Sequence, residues 1–189
     1  MLTRTIVTAL LTFGIAAACN RRGDQNEAAE TLPTTGFVLQ AEEGEVLRLG
    51  GATGGQIIIK VDPAKTGSPQ MAMGIQYLDG EIPLHLHEHE EEFLFVHRGQ
   101  GVGTLGDQRI PLQEGTTIYI PPGTWHGIQN TGDEPSQIMW VVTPGTGETT
   151  QLEKFFREVG TPPGAEQKSL TPEQVSDILE KHGMRAKPQ

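Results

Sequence analysis

The sequence predicts an all-β domain, a sandwich or a barrel, followed by two C-terminal helices. Two observations carry that expectation. About ten short segments hold β-branched or alternating apolar residues, and turn residues interrupt them at close intervals, in a chain with 24 glycines and 13 prolines among 189 residues. Beyond residue 146 the apolar residues instead recur at helical spacing, between cap and stop signals. The length suggests one domain with room for a real core. A net charge of −10 argues against nucleic acid, whose phosphates need a basic surface, and neither a basic stripe nor a Gly-rich phosphate loop is present.

The N-terminus reads as an address. Residues 1–19 begin with Arg4 and an apolar run from Ile6 to Ala18, too short to span a membrane and ending in small residues, as an export signal does. Cys19, the only cysteine, falls where a bacterial lipoprotein signal places its acylated cysteine, although Ala16 stands where that motif prefers leucine. Two readings stay open: a lipid anchor on Cys19, holding the protein at a membrane of the cell envelope or periplasm, and ordinary cleavage nearby. A lone cysteine gives the fold no internal disulfide. Residues 20–35 are polar, charged and aperiodic, the composition of a disordered tether.

The domain is expected over 36–146. Strand-like segments run over 37–40, 45–49 and 56–61, with a loop over 62–69. In 71–78, Met71, Met73, Ile75 and Tyr77 alternate with smaller or polar residues, the pattern of a half-buried strand. In 92–98, Glu92, Leu94 and Val96 share one face, and Phe93, Phe95 and His97 share the other. Strands over 101–105 and 108–112 flank a Gly106-Asp107 hairpin turn. Further strands are expected over 116–120, 125–129 and 137–143. The helical extension covers 147–189. Its first helix, over 150–159, starts with a Thr150/Glu153 capping box, stops at Gly160 and carries Leu152, Phe155, Phe156 and Val159 on one stripe. Its second is capped by Thr171, with Pro172 at its first position, Gly183 past its end and Val175, Ile178 and Leu179 on its apolar face. Both helices are expected to lie against the outside of the β domain.

Chemistry concentrates in residues 80–99, GEIPLHLHEHEEEFLFVHRG, which hold three of the six histidines as H-x-H-x-H followed by three glutamates. Histidines two apart project from one face of a strand, and imidazoles joined by a carboxylate suit a divalent first-row metal. In an extended strand His89 shares the face of His87, and with Glu91 it offers a second register of ligands, but it is expected in the turn, exposed to solvent or behind the ligands. His126 follows a rigid Pro121-Pro122-Gly123 turn. Glu88, Glu90 and Glu91 read as a solvated rim, and His97 and His182 as surface residues.

These residues resemble the two motifs of the cupin superfamily. The first motif is matched by Gly80, His85, His87, Glu92 and Gly99, with the leading glycine one residue nearer than the pattern asks. The second, G-x5-P-x-G-x2-H-x3-N, is matched by Gly115, Pro121, Gly123, His126 and Asn130. The resemblance implies a jelly-roll β-barrel and a metal site formed by His85, His87, Glu92 and His126, with one or two coordination positions left open. Fe, Mn, Ni and Cu all suit that set. It implies, further, a quercetinase-like dioxygenase acting on a small phenolic or enol-like molecule, with Glu92 doubling as a catalytic base and Tyr77, Phe93, Phe95 and Trp125 offering aromatic surface. A non-catalytic module binding a metal or a small molecule is the alternative, and a sugar isomerase or epimerase a more distant one. Pairing as a homodimer is also implied.

Overall fold

The computed structural model describes residues 36–187. The expected export signal, Cys19 and the expected tether lie outside the described residues. The chain runs through β1 (Glu45–Arg48), β2 (Gln56–Val61), α1 (Pro63–Thr66), β3 (Ala72–Leu78), β4 (Glu81–His87), β5 (Glu91–Arg98), β6 (Gln100–Leu105), β7 (Gln108–Gln113), β8 (Thr117–Ile120), β9 (His126–Asn130), β10 (Ser136–Thr143), α2 (Leu152–Val159), α3 (Pro172–Lys181) and β11 (Met184–Ala186). Two antiparallel sheets result, ordered β1-β2-β3-β10-β5-β8 and β11-β4-β9-β6-β7. From β3 to β10 the chain passes back and forth between them, so β3-β10-β5-β8 faces β4-β9-β6-β7. That is a jelly roll, and it meets the all-β expectation with a helical tail.

The core lies between the sheets. Leu94, Val96, Ile118, Ile120, Ile138, Trp140 and Val142 fill it from one side, with Leu112 and Ile128 from the other. The face division expected for β5 holds, since Leu94 and Val96 are buried whereas Phe93 and His97 are exposed.

Strand β3 reverses what its composition suggests. Its buried residues are Ala72, Gly74, Gln76 and Leu78, while Met73, Ile75 and Tyr77 look outward. The small residues are inside because the neighbouring strand fills the space: a Cβ on Gly74 would sit 2.5 Å from the Trp140 ring and 2.4 Å from the Ile58 carbonyl oxygen. The outward residues continue across the sheet, with Ile75 opposite Met139 and Met139 opposite Phe95, then Met73 opposite Val141 and Val141 opposite Phe93.

Residues 37–40 do not form a strand. The Lys60 ammonium donates to the carbonyls of Gln40, Ala41 and Glu43 at 2.7–2.8 Å, so this stretch leads into a turn wrapped on a lysine and pairs with no strand. The 62–69 loop contains α1, whose first turn is capped by the Asp62 carboxylate accepting from the Lys65 amide at 2.9 Å.

The tail departs further from expectation. Leu152, Phe156, Leu179 and Met184 belong to the core cluster, and the Phe156 ring lies 5.4 Å from that of Trp140. The helices therefore seal the core and do not lie on the outer face of the barrel. The second helix starts as read: Thr171 and Gln174 form its capping box. The first does not, because Gln151 is its N-cap and Thr150 caps nothing. Strand β11, with no pattern of its own in sequence, pairs with β4.

Candidate metal centre

Strand β4 carries His85 and His87, and β9 returns beside it with His126 directly opposite His85. The ladder between these strands shifts register between Ile82 and His85, where Pro83 removes a donor. Glu92 comes from the other sheet, on the inner face of β5 in a row with Ala72, Val142 and Ile120. The site therefore sits between the sheets, where the turn after β4 carries the chain from one to the other. The turn before β9 is tied to this strand, as the Gly123 amide donates to the His87 carbonyl at 2.7 Å.

Each of the four residues offers one ligand atom, and those atoms lie within 4.8 Å of one another. His87, Glu92 and His126 are 2%, 5% and 3% exposed, and His85 is half-buried. The three rings cluster with centroids 4.2–5.4 Å apart. The Glu92 Oε2 atom is 3.0 Å from His126 Nε2 and 3.9 Å from His87 Nε2.

The opposite edge of each ring is already committed. His85 Nδ1 donates to the Pro83 carbonyl at 2.9 Å, His126 Nδ1 to the Thr124 carbonyl at 2.9 Å, and His87 Nδ1 to Glu90 Oε2 at 2.8 Å. Those acceptors have no proton to give, so they assign the ring proton to Nδ1 and leave each Nε2 as a bare lone pair aimed into the centre. His87 Nε2, His126 Nε2 and Glu92 Oε2 are buried with no hydrogen-bond partner. Converging buried acceptors are costly in an apolar core unless a cation joins them, so this donor set fits a metal ion.

The electrostatics differ from residue to residue. Burial, reinforced by the neighbouring His126 and His87, holds the His85 imidazole well below its ordinary range, in the neutral form that ligates. Burial pushes the Glu92 carboxyl up, but the close approach of His126 Nε2 and the positive charge that the three imidazoles carry when protonated outweigh it and hold the carboxyl at about 2. Burial pulls His87 down, but its bond to Glu90 with the charges of Glu92 and Glu90 lifts it above its ordinary value, so a metal entering the centre competes with a proton at this ring.

His89 is exposed in the turn after β4, as expected, with its Nδ1 3.1 Å from Thr146 Oγ1 and outside the cluster. Other expectations are not met. Glu91 looks away from the cluster, accepting from Tyr119 and Thr143 hydroxyls at 3.1 Å. Phe93, Phe95 and Tyr77 face outward and cannot line the centre, and Trp125 is half-buried in the loop before β9. Glu90 is no solvated rim: it is 4% exposed and bonded to His87. Nothing in the sequence separates it from Glu88, which lies partly exposed against Arg185.

Comparison with known proteins agrees with this geometry. The family model described as "Cupin domain" matches residues 74–142, a span holding all four cluster residues. The chain is 31% identical over 93 residues to protein SchB of Streptomyces halstedii, covering 48% of this chain and 67% of SchB. It belongs to the cupin superfamily. The cupin region is also 41% identical over 69 residues to the uncharacterized protein MJ1618 of Methanocaldococcus jannaschii, 36% of this chain and 55% of that one. The match thus spans about half the length of that curated relative. In fold, this cupin resembles the structure of KdgF from Halomonas sp., with a TM-score of 0.50 at 20% identity over 58% of this chain and 94% of that one.

Proposed function

We propose that this cupin binds one divalent transition metal through His85, His87, Glu92 and His126, and that the loaded protein is a dioxygenase-type oxidoreductase acting on a small phenolic or enol-like molecule. The observation that carries the reading is the convergence of unpartnered Nε2 and Oε2 atoms with every opposing Nδ1 proton already engaged. Three nitrogens and one oxygen leave open positions on an ion that prefers more than four ligands, which suits Fe, Mn, Ni or Cu. Bound there, such an ion supplies Lewis acidity for a substrate hydroxyl and one-electron chemistry for O2. Glu92 would take that hydroxyl proton, and a carboxyl held low is a ligand first and a weak base second.

A second reading has its own support. The aromatic residues on which a phenolic ring would stack look outward from the sheet, so a metal-binding module without catalysis fits the placement of Phe93, Phe95 and Tyr77 equally well. The proposal also places the protein at the cell envelope, exported by residues 1–19 and lipid-anchored through Cys19. Among the described residues no helix is long and apolar enough to cross a membrane. A homodimer belongs to the same reading and is checked by light scattering.

Metal analysis by mass spectrometry tests the centre, on protein purified without added metal or a histidine tag. About one equivalent of Fe, Mn, Ni or Cu in the parent, absent from His126→Ala, supports it. No metal in either, with none restored on reconstitution of the folded parent, overturns it. Oxygen uptake with catechols and flavonols then divides the two readings: uptake that follows metal content supports the dioxygenase, and its absence with the metal bound supports the binding module.

A further inference from the structure

We propose that Glu90 is a positioning residue coupling the metal centre to the C-terminal extension, so that filling the centre tightens the docking of α2 and losing that docking loosens the centre. The inference rests on the metal-binding reading above. Glu90 divides its two oxygens between the two regions. Oε2 accepts the His87 Nδ1 proton at 2.8 Å, and Oε1 accepts from the Gln151 amide at 2.7 Å and the Leu152 amide at 3.3 Å.

Those amides open α2, and the helix has no cap of its own: the Gln151 side chain makes no capping bond, and the Thr150 hydroxyl is buried without a partner. A carboxylate reaching across from the β4–β5 turn does the work of the missing cap. It also sits at the positive end of the helix, where negative charge is stabilised.

The extension holds the same turn at further points. The Thr146 amide donates to the His89 carbonyl at 3.1 Å, and the Glu88 amide donates to the Gly183 carbonyl at 2.8 Å. Strand β11 then lies along β4, with Met184 opposite His87 and Ala186 opposite His85. The ligand strand is thus bounded on one side by β9 and on the other by the tail.

The coupling follows from ordinary hydrogen-bond chemistry. A cation on Nε2 draws electron density from the His87 ring and makes Nδ1–H a stronger donor. The bond to Glu90 strengthens, and a carboxylate held more firmly is a better-fixed partner for the α2 amides. Linkage makes the effect reciprocal.

Glu90→Gln probes this at constant size. The glutamine oxygen can still accept from the α2 amides, but its NH2 then meets the His87 Nδ1 proton, donor against donor. The clash is relieved if His87 moves its proton to Nε2, which blocks the ligand atom. If the amide flips instead, α2 loses its cap.

The test uses the full chain, Zn(II) as a diamagnetic probe, calorimetric titration, and NMR of both amide hydrogen exchange and histidine ring nitrogens. In the parent, Zn(II) slows exchange of the Gln151 and Leu152 amides by about tenfold. In Glu90→Gln, Zn(II) affinity falls about 10- to 100-fold. The slowing at saturating metal disappears, and the His87 proton moves from Nδ1 to Nε2 or the α2 amides exchange faster without metal. A parent that binds Zn(II) with no change at those amides overturns the coupling alone, as does a variant that keeps both affinity and slowing. A parent that binds no metal overturns the functional reading and the coupling together. If Glu90→Gln does not fold, the comparison of the parent with and without Zn(II) decides.

Discussion

Strands β3 and β4 are neighbours in the chain, joined at Asp79 and Gly80, yet they enter different sheets and read in opposite ways. On β4 the polar residues are the informative ones: His85 and His87 turn toward the cluster they form with Glu92 and His126. On β3 the apolar residues mislead, since Met73, Ile75 and Tyr77 form the outer face and Ala72, Gly74, Gln76 and Leu78 the inner one. Hydrophobicity shows that a strand has two faces. It does not say which one the core takes when the neighbouring strand, here bearing Trp140, needs room more than it needs bulk.

The comparison sharpens most under substitutions matched across the two strands. His85→Ala on β4 should lower Zn(II) affinity by about 100-fold or more, beyond the loss expected for removing a group that merely orients a ligand, as calorimetry will show. A change of less than about fivefold would remove His85 from the ligand set. On β3 the sensitive position is the one without a side chain. Gly74→Ala should cost about 3 kcal/mol in urea unfolding, because its Cβ would press on Trp140 and the Ile58 carbonyl. Little cost there would mean that the β3–β10 contact is looser than described.

A smaller effect is expected at Asp62, which closes β2 and pairs with Arg157 of α2. Burial raises its carboxyl, but the Arg157 and Lys65 bonds and charges prevail and hold it below the ordinary aspartate value. A carboxyl depressed on folding contributes stability that is complete above its unfolded value and is lost as the pH falls through its folded one. Asp62→Asn should therefore lose about 1–2 kcal/mol at neutral pH and little in acid below the aspartate range, where the parent has lost the same contribution. Chemical denaturation at both pH values measures this. The smallest effect belongs to Ile75→Thr, half-buried on the outer face of β3 opposite Ile58, about 1 kcal/mol below the parent and with unchanged Zn(II) affinity. A loss of several times that would show that this face is covered in solution.

What could be read in advance follows the same division. The ligand cluster was legible because its residues are of types rarely gathered without purpose, and because the Pro121-Pro122-Gly123 turn fixes where His126 arrives. The choice of Glu92 over Glu91 was legible only through the motif spacing, as strand alternation allows both. Glu90 was not legible: its importance depends on Gln151 and Leu152, some sixty positions later, reaching back to it. The cap of α2 misled for the same reason, since Thr150 and Glu153 form a local signal that a long-range carboxylate displaces. Strand β11 has only three residues, and its pairing is a property of the open edge of β4, not of its own sequence.

That last pairing bears on how the protein is made. The strand presenting His85 and His87 gains its second neighbour from residues 184–186, which are synthesised well after it. Until then β4 is an open sheet edge, and an open edge invites pairing with other chains. The strand bearing His85 and His87 therefore stays open on that side until the segment that follows α3 has been made and folded back onto it.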